Sequence, residues 1–227
     1  MRTSFHPYHD KLPLLAILLL SSGLSIAMLS ARVWYSGYTT YSFLIWNLFL
    51  AWIPLCSALG FWALPRSRTP GVGLLSFALF LCWLAFFPNA PYIVTDFLHL
   101  TERNNVPLWY DLLLIFSFAW NGLVLGFTSL WIVQVVIAQR WGQWLSWFIV
   151  LCTLAVSGFG IYLGRFLRWN SWDLLTNPQL LAADIVHLVS NPLAHPRTVV
   201  MTLLFSSFLM LAYLTLNLLG RARWQQS

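Results

Sequence analysis

The sequence has few charged residues. They make up 8% of the 227 positions, whereas a soluble globular domain carries roughly 25%. Hydrophobic residues account for 59% of the chain, so a water-exposed surface of normal composition cannot be built from it. The lack of charge excludes a water-soluble fold and indicates a protein that lies in a lipid bilayer, which is its first expected partner.

The sequence also lacks the short motifs of the familiar enzyme and nucleic-acid-binding classes. It contains no Gly-rich phosphate loop, no HExxH and no GxSxG. Its basic residues occur singly or in pairs rather than in a stripe with stacking aromatics, so we expect no nucleic-acid partner. The three cysteines, Cys56, Cys82 and Cys152, fall in apolar runs without CxxC spacing, which favours buried apolar positions for them.

Apolar runs divide the chain into six segments that approach or exceed the ~20 residues a spanning helix needs. The sequence therefore predicts an all-α polytopic membrane helix bundle, forming a single integral membrane domain. The predicted spans are residues 13–31, 41–64, 72–87, 108–138, 144–163 and 198–219. Residues 32–40 are predicted to form a short loop, and the polar stretch 165–197 is long enough to be a functional segment or to contain an interfacial helix.

Basic residues predict the orientation of the bundle, because loops rich in Arg and Lys stay in the cytoplasm. With six spans, both termini share one compartment. The terminal side carries Arg2, Lys11, Arg66, Arg68, Arg140, Arg221 and Arg223, and the opposite side carries Arg32, Arg103, Arg165, Arg168 and Arg197. This excess predicts cytoplasmic termini. Five of the six acidic residues then fall on the extracytoplasmic side, where we expect acid, base or ligand chemistry.

The stretch 87–100, FPNAPYIVTDFLHL, ends the third span with two prolines and then places polar residues among apolar ones. Asp96 and His99 are three residues apart, so on a helix they share a face. A carboxylate in that position can hold an imidazole in one tautomer as a general base. We therefore predict Asp96 and His99 as catalytic residues, with Asp173 as a third carboxylate for acid–base or ligand chemistry.

The sequence Asp184-Ile-Val-His187-Leu repeats the pattern Asp96-Phe-Leu-His99-Leu. Carboxylate oxygens and imidazole nitrogens are common metal ligands, so these two pairs could form a metal site. Alternatively, they lie at the headgroup boundary, pair with an arginine and fix the loops against the bundle.

The stretch 164–173, GRFLRWNSWD, forms a second polar patch. Arg165 and Arg168 could share a helical face and hold a phosphate or carboxylate, with a lipid phosphate as the simplest ligand. The predicted ligand-binding residues are Arg165, Arg168, Asn170, Trp172, Asn89, Tyr92, Thr95 and Asn121. In the span before this patch, Gly160 and Gly164 predict a surface where helices approach closely.

The stretches 87–100 and 158–173, together with Trp120-Asn121-Gly122, resemble the bacterial multi-pass membrane proteins grouped as domain of unknown function 1361. The resemblance covers roughly residues 44–219. It implies a bacterial plasma (inner) membrane protein and leaves the activity open.

Three functions are compatible with the sequence. The first is an extracytoplasmic polar site for an anionic or lipid-linked ligand. The second is a small-molecule transporter, whose path would follow Ser117, Asn121 and Thr128 on one face of the fourth span. The third is a structural or assembly protein without catalysis. We favour the first, because the span centres carry no ionisable residue of the kind that transport paths use.

Overall fold

The computed structural model describes residues 11–65, 69–102 and 105–222. Six of the helices in these ranges are long and apolar enough to cross a membrane. The prediction of an all-α bundle with six spans is therefore confirmed. Five arginines used in the charge count lie outside the described residues, namely Arg2, Arg66, Arg68, Arg103 and Arg223.

The helices, in chain order, are α1 Lys11–Ser36, α2 Phe43–Ala63, α3 Pro70–Phe86, α4 Asn89–Tyr92, α5 Leu108–Trp141, α6 Gln143–Phe166, α7 Asp173–Thr176, α8 Pro178–Ser190 and α9 Pro196–Ala222. Two 3₁₀ segments, Ile93–His99 and Pro192–Ala194, lie between them. The connections α1–α2, α3–α5 and α6–α9 meet at one end of the bundle, which we call the cap end.

The first helix is longer than its apolar run. Residues 32–36, predicted as the start of a loop, continue α1, so that prediction is wrong for those five residues. The reason lies in a tertiary contact. Arg32 is buried and forms an ion pair with Asp111 of α5, which allows a charged residue to remain inside the helix.

Helix α5 is the centre of the bundle. It packs against α1, α2 and α6, whereas α3 lies on the outside of α2 and α9 on the outside of α6. The most apolar part of α5 is 67% buried, against 11% for α3 and for α9.

Lipid-facing helix surfaces carry apolar side chains, so exposure does not exclude cysteine there. Cys56 and Cys152 are exposed, and the prediction of their burial is wrong.

The short helix α4 sits in a notch of α5. A Cβ built on Gly122 would overlap the carbonyl oxygen of Ala90, and one on Gly126 would lie 3.0 Å from the Ala90 Cβ. The two glycines are one helical turn apart, so together they remove side chains from one patch of α5. This allows the backbone of α4 to lie directly on that patch.

A second notch, on α6, holds the other side of the same segment. A Cβ on Gly160 would lie 3.1 Å from Pro88, and one on Gly164 would lie 3.0 Å from the Tyr92 ring. The predicted close approach at these glycines is confirmed, and their partner is the α4 segment. Residues 88–92 are therefore a wedge between α5 and α6, which fixes the direction of the following 3₁₀ segment.

The polar stretch after α6 contains the short α7 and the 13-residue α8. Leu181 and Leu188 of α8 are buried against Tyr162 and Leu163 of α6. Its remaining surface is largely exposed and mixes apolar residues such as Val186 and Val189 with polar ones such as Gln179 and Ser190. Such an amphipathic helix is typical of the membrane interface.

Candidate functional site

A cavity of about 600 Å³ opens at the cap end, between α2, the end of α3, α6 and α8. Polar side chains gather in one part of its wall, and they are Asn47, Asn89, Asp96, His99, Arg165, Asn170 and Ser171. The remaining wall is largely apolar and includes Leu50, Leu81, Leu84, Val156 and Phe159. A concave apolar pocket with a few convergent polar groups is the usual form of a small-molecule site.

Asp96 is the buried carboxylate of this cavity. The 3₁₀ segment turns it inward, and the residue is 1% exposed. The Asn47 amide of α2 donates a 2.8 Å hydrogen bond to Oδ2, and Arg165 Nη1 lies 3.4 Å from Oδ1. The carboxylate thus has a neutral donor on one oxygen and a cation on the other, and these contacts offset part of its loss of water.

Arg165, in the last turn of α6, connects three groups of the stretch 92–99. Its Nη2 donates to the backbone carbonyl of Thr95, and its Nη1 lies 3.0 Å from His99 Nε2. Its Cζ lies 5.7 Å from the centre of the Tyr92 ring. A guanidinium can only donate, so Nε2 of His99 accepts and the neutral imidazole carries its proton on Nδ1.

Asn89 and Ser171 join the two cap segments beside the cavity. The Asn89 amide donates to Ser171 Oγ at 2.8 Å and to the Phe86 carbonyl at 3.0 Å. The Ser171 hydroxyl donates in turn to the Ala85 carbonyl at 3.0 Å. These bonds satisfy carbonyls at the end of α3 and hold the segment after α6 over the cavity.

Arg168 does not share a face with Arg165, because α6 ends between them. Its backbone is left-handed, with φ 61°, and the N–H of Trp169 donates to the Leu163 carbonyl at 3.2 Å. This bond closes the end of α6 with Arg168 in the left-handed position, which glycine usually occupies at a helix C-terminus. The Arg168 side chain is exposed and does not line the cavity.

Asp173 stabilises its own turn rather than the cavity wall. Its carboxylate accepts the backbone N–H of Asn170 at 2.8 Å and the Thr176 hydroxyl at 3.1 Å. The bond from the Asn170 N–H, with further bonds from Asn177 and Thr176, holds the pKa of Asp173 below its ordinary value. A carboxylate that stays charged at neutral pH is a poor general acid.

The second Asp–His pair has partners of its own. Asp184 accepts a 2.9 Å bond from Trp169 Nε1, and the His187 ring lies edge-on to that of His195, with centroids 4.8 Å apart. Neither Asp184 nor His187 lines the cavity that Asp96 and His99 line. Within residues 11–65, 69–102 and 105–222, no three His, Cys, Asp or Glu side chains converge as a metal site would require.

Besides Arg168, three more predicted ligand residues lie outside the cavity lining. The Asn121 amide is bound to α1, with Ser25 Oγ at 2.9 Å. Thr95 is buried, and its hydroxyl donates a hydrogen bond to the backbone carbonyl of Tyr92. Thr95 therefore contacts the site only through its own backbone carbonyl oxygen. Trp172 meets the cavity residue Trp46 edge-on, with centroids 6.1 Å apart.

The structure therefore brings together Asn89, Tyr92, Asp96, His99, Arg165 and Asn170 out of the predicted site residues. It adds two that sequence reasoning missed, Asn47 and Ser171. Asn47 had a recognisable signal, because an amide inside an apolar run needs a polar partner in a membrane. Ser171 lies in the quoted stretch 164–173 and has no such signal.

Comparison with known proteins gives the family and no further assignment. Neither the curated proteins nor the solved structures contain a match to the chain. A family model described as protein of unknown function (DUF1361) matches residues 46–212, most of the chain, and the protein belongs to that family.

Proposed function

We infer that this protein binds a lipid-linked ligand with an anionic head group, in the cavity at the cap end. The observation that carries the proposal is the division of that cavity, with Asp96, His99 and Arg165 in one part and an apolar wall in the rest. A ligand that is charged at one end and apolar at the other matches both parts.

Arg165 is the group that would contact the head group. Its side chain is 11% exposed, and its contact with Asp96 is a single one at 3.4 Å. Charge-assisted hydrogen bonds are shorter, about 2.7–2.9 Å, so the guanidinium is not held tightly by this carboxylate. A phosphate or carboxylate oxygen can replace His99 as the acceptor of Nη1, which leaves Nε2 of His99 available to take a proton.

The proposed location is the bacterial plasma membrane, with cytoplasmic termini and the cavity on the extracytoplasmic side. The excess of basic residues on the terminal side supports this orientation. A periplasmic reporter fused after Glu102 should be active, and the same reporter fused after Pro65 should be silent. The reverse pattern would overturn the orientation and leave the cavity proposal in place.

Binding can be tested with dodecyl phosphate, which combines an anionic head with an alkyl chain. The protein, in nanodiscs of zwitterionic lipid, should show saturable quenching of tryptophan fluorescence, because Trp46 and Trp169 line the cavity. Inorganic phosphate and dodecanol, which carry the head and the chain alone, should bind more weakly.

The matched variants are Arg165→Ala and Arg168→Ala, which remove the same charge inside and outside the cavity. A hydrogen bond to a charged group contributes about 1.5–3 kcal/mol, so Arg165→Ala should weaken binding roughly 10- to 100-fold. Arg168→Ala should change it little. Equal weakening in both variants would mean general attraction to a basic surface and would contradict the proposal.

A further inference from the structure

A second cavity follows the apolar part of the first along the same two helices, α3 and α6, and we call the gap that contains both cavities the seam. This second cavity, of about 730 Å³, lies towards the opposite end. Helix α3 packs on α2, while α6 packs on α5 and α9. The two cavities thus occupy the gap between two helices that find their packing partners elsewhere.

On α3 the lining residues of the two cavities follow one another without a break. Val72, Ser76 and Phe80 line the second cavity, and Leu84 lines the first. Their spacing of four residues places all of them on one face of α3. The seam along this face, from residue 72 to residue 85, is about 20 Å long at the rise of an α-helix.

The facing surface of α6 is also continuous. Leu145 and Ile149 line the second cavity, and Val156 and Gly160 line the first, at spacings of four, seven and four residues. Cys152 falls on the same face between them and is exposed. No charged side chain interrupts this face of α6 between residues 145 and 160.

Both ends of the seam are polar. At the cap end lies Arg165, and in the second cavity Arg140 is the only charged residue among the described lining residues. The Arg140 Cζ lies 5.1 Å from the centre of the Phe61 ring and 5.9 Å from that of Trp141, as expected near a headgroup layer. The apolar length between these arginines therefore crosses much of the ~30 Å hydrocarbon layer.

We propose that the seam between α3 and α6 holds the hydrocarbon chain of the ligand, so that the ligand is a long-chain membrane lipid which reaches the cavity sideways from the bilayer. This inference rests on the proposed function, because it assigns the chain of the same ligand. The gap between α3 and α6 gives lateral access from the bilayer. Val156 of α6, which is 52% exposed, lies at the edge of this gap.

A photoreactive lipid tests the path of the chain. The probe is phosphatidic acid with a diazirine near the end of one acyl chain, present at a low mole fraction in nanodiscs that hold the full-length protein. After irradiation, mass spectrometry should place the crosslinks mainly on the facing surfaces of α3 and α6, around Phe77, Phe80, Ile149 and Cys152. Crosslinks spread evenly over the lipid-facing surfaces of the six spans would overturn the inference.

A bulky side chain in the seam supplies the control. Val156→Trp should reduce the seam crosslinks several-fold, whereas Leu151→Trp, on a lipid-exposed surface of the same helix outside both cavities, should not. Leu81→Trp plugs the seam from α3 and covers the case in which Val156→Trp does not fold. Seam crosslinks that persist undiminished in the folded plug variants would overturn the inference.

The dodecyl phosphate titration separates this failure from that of the proposed function. If Arg165→Ala weakens dodecyl phosphate binding but the crosslinks avoid the seam, the head-group site stands and the chain follows another route. If Arg165→Ala leaves dodecyl phosphate binding and the seam crosslinks unchanged, both proposals fail.

Discussion

Two arginine–aspartate pairs connect distant parts of this bundle, and they differ in how much of each guanidinium contacts the aspartate carboxylate. Arg32 and Asp111 make two contacts, at 2.6 and 3.0 Å, with side-chain exposures of 0% and 1%. Arg165 and Asp96 make one contact of 3.4 Å, and the arginine also serves a carbonyl and an imidazole. Arg32 and Asp111 bind each other through both contacts, and the pair joins α1 to α5.

The difference indicates separate roles. In the Arg32–Asp111 pair, Nε and Nη2 of the arginine both donate to the carboxylate, and Nη1 is buried without a hydrogen-bond partner. This pair contributes position rather than chemistry. The Arg165 guanidinium is shared among Asp96, His99 and the Thr95 carbonyl at a cavity wall. A ligand oxygen can therefore enter without leaving Asp96 unpaired, since Asn47 still donates to it. Three predictions test this contrast, in order of decreasing effect, and a fourth concerns the turn that follows Arg168.

Breaking the Arg32–Asp111 pair should have the largest effect on stability. Arg32→Met leaves Asp111 charged and buried without a partner, and removal of one member of such a pair costs about 3–5 kcal/mol. Membrane accumulation and the thermal midpoint of a detergent-solubilised fluorescent fusion should both fall sharply. Replacing both residues, Arg32→Met with Asp111→Leu, should restore most of the loss. A stable single variant would contradict the assignment of this pair as a structural contact.

Disturbing the wedge of residues 88–92 should have an intermediate effect on stability, because it moves the segment that carries Asp96, the partner of Arg165. Gly122→Ala places a methyl group against the Ala90 carbonyl oxygen. Overpacking of this kind costs about 1–3 kcal/mol. The control is Gly23→Ala in α1, where an added Cβ meets nothing within 4 Å. The thermal midpoint should fall for the first variant and stay level or rise for the second; equal midpoints would argue against the notch.

Changing Arg165 of the Arg165–Asp96 pair while keeping its charge should affect ligand binding more than the stability of the fold. Arg165→Lys retains the cation but loses the planar fork that reaches Asp96, Thr95 and a ligand oxygen together. Loss of one charge-assisted contact should weaken dodecyl phosphate binding roughly tenfold, with a shift in thermal midpoint smaller than that of Arg32→Met. Arg168→Lys is the matched control. A larger loss of stability in Arg165→Lys than in Arg32→Met would reverse the contrast.

The smallest effect concerns Asp173, which belongs to neither pair. Because its pKa is lowered in the folded protein, its bonds contribute fully above the ordinary carboxyl pKa of about 3.9 and are lost as the pH falls through the folded value. Hydrogen exchange of the peptide 168–177, corrected for intrinsic rates, should lose protection only below about pH 4. Asp173→Asn should show no such step. A step between pH 5 and 7 would contradict the lowered pKa.

The six spans could be predicted because a bilayer accepts only segments whose backbone groups are satisfied internally, and long apolar runs mark them. The polar part of the site was predictable for a related reason. Asp96, His99 and Arg165 stand beside apolar segments where polar side chains need partners. Their convergence on a single guanidinium was not predictable, because it depends on the glycine notches that direct the wedge.

Other features had no local signal. Arg32 and Asp111 are 79 residues apart, and nothing in either neighbourhood indicates the other. The end of α6 could not be predicted from the sequence, because Arg168 occupies the left-handed position where a glycine would have indicated a helix terminus. For that reason the expected pair of arginines on one face is not present, and of Arg165 and Arg168 only the first lines the cavity.

The length of α3 has a consequence for the surrounding lipid. Its 17 residues rise only about 26 Å, less than the ~30 Å of a typical hydrocarbon layer. Next to a short span the bilayer becomes thinner, or the neighbouring segments extend into it, at a modest elastic cost. In the first case the headgroup layer dips towards the protein beside the cavity. A lipid there travels a shorter vertical distance to bring its phosphate level with Arg165 than it would in an undeformed membrane.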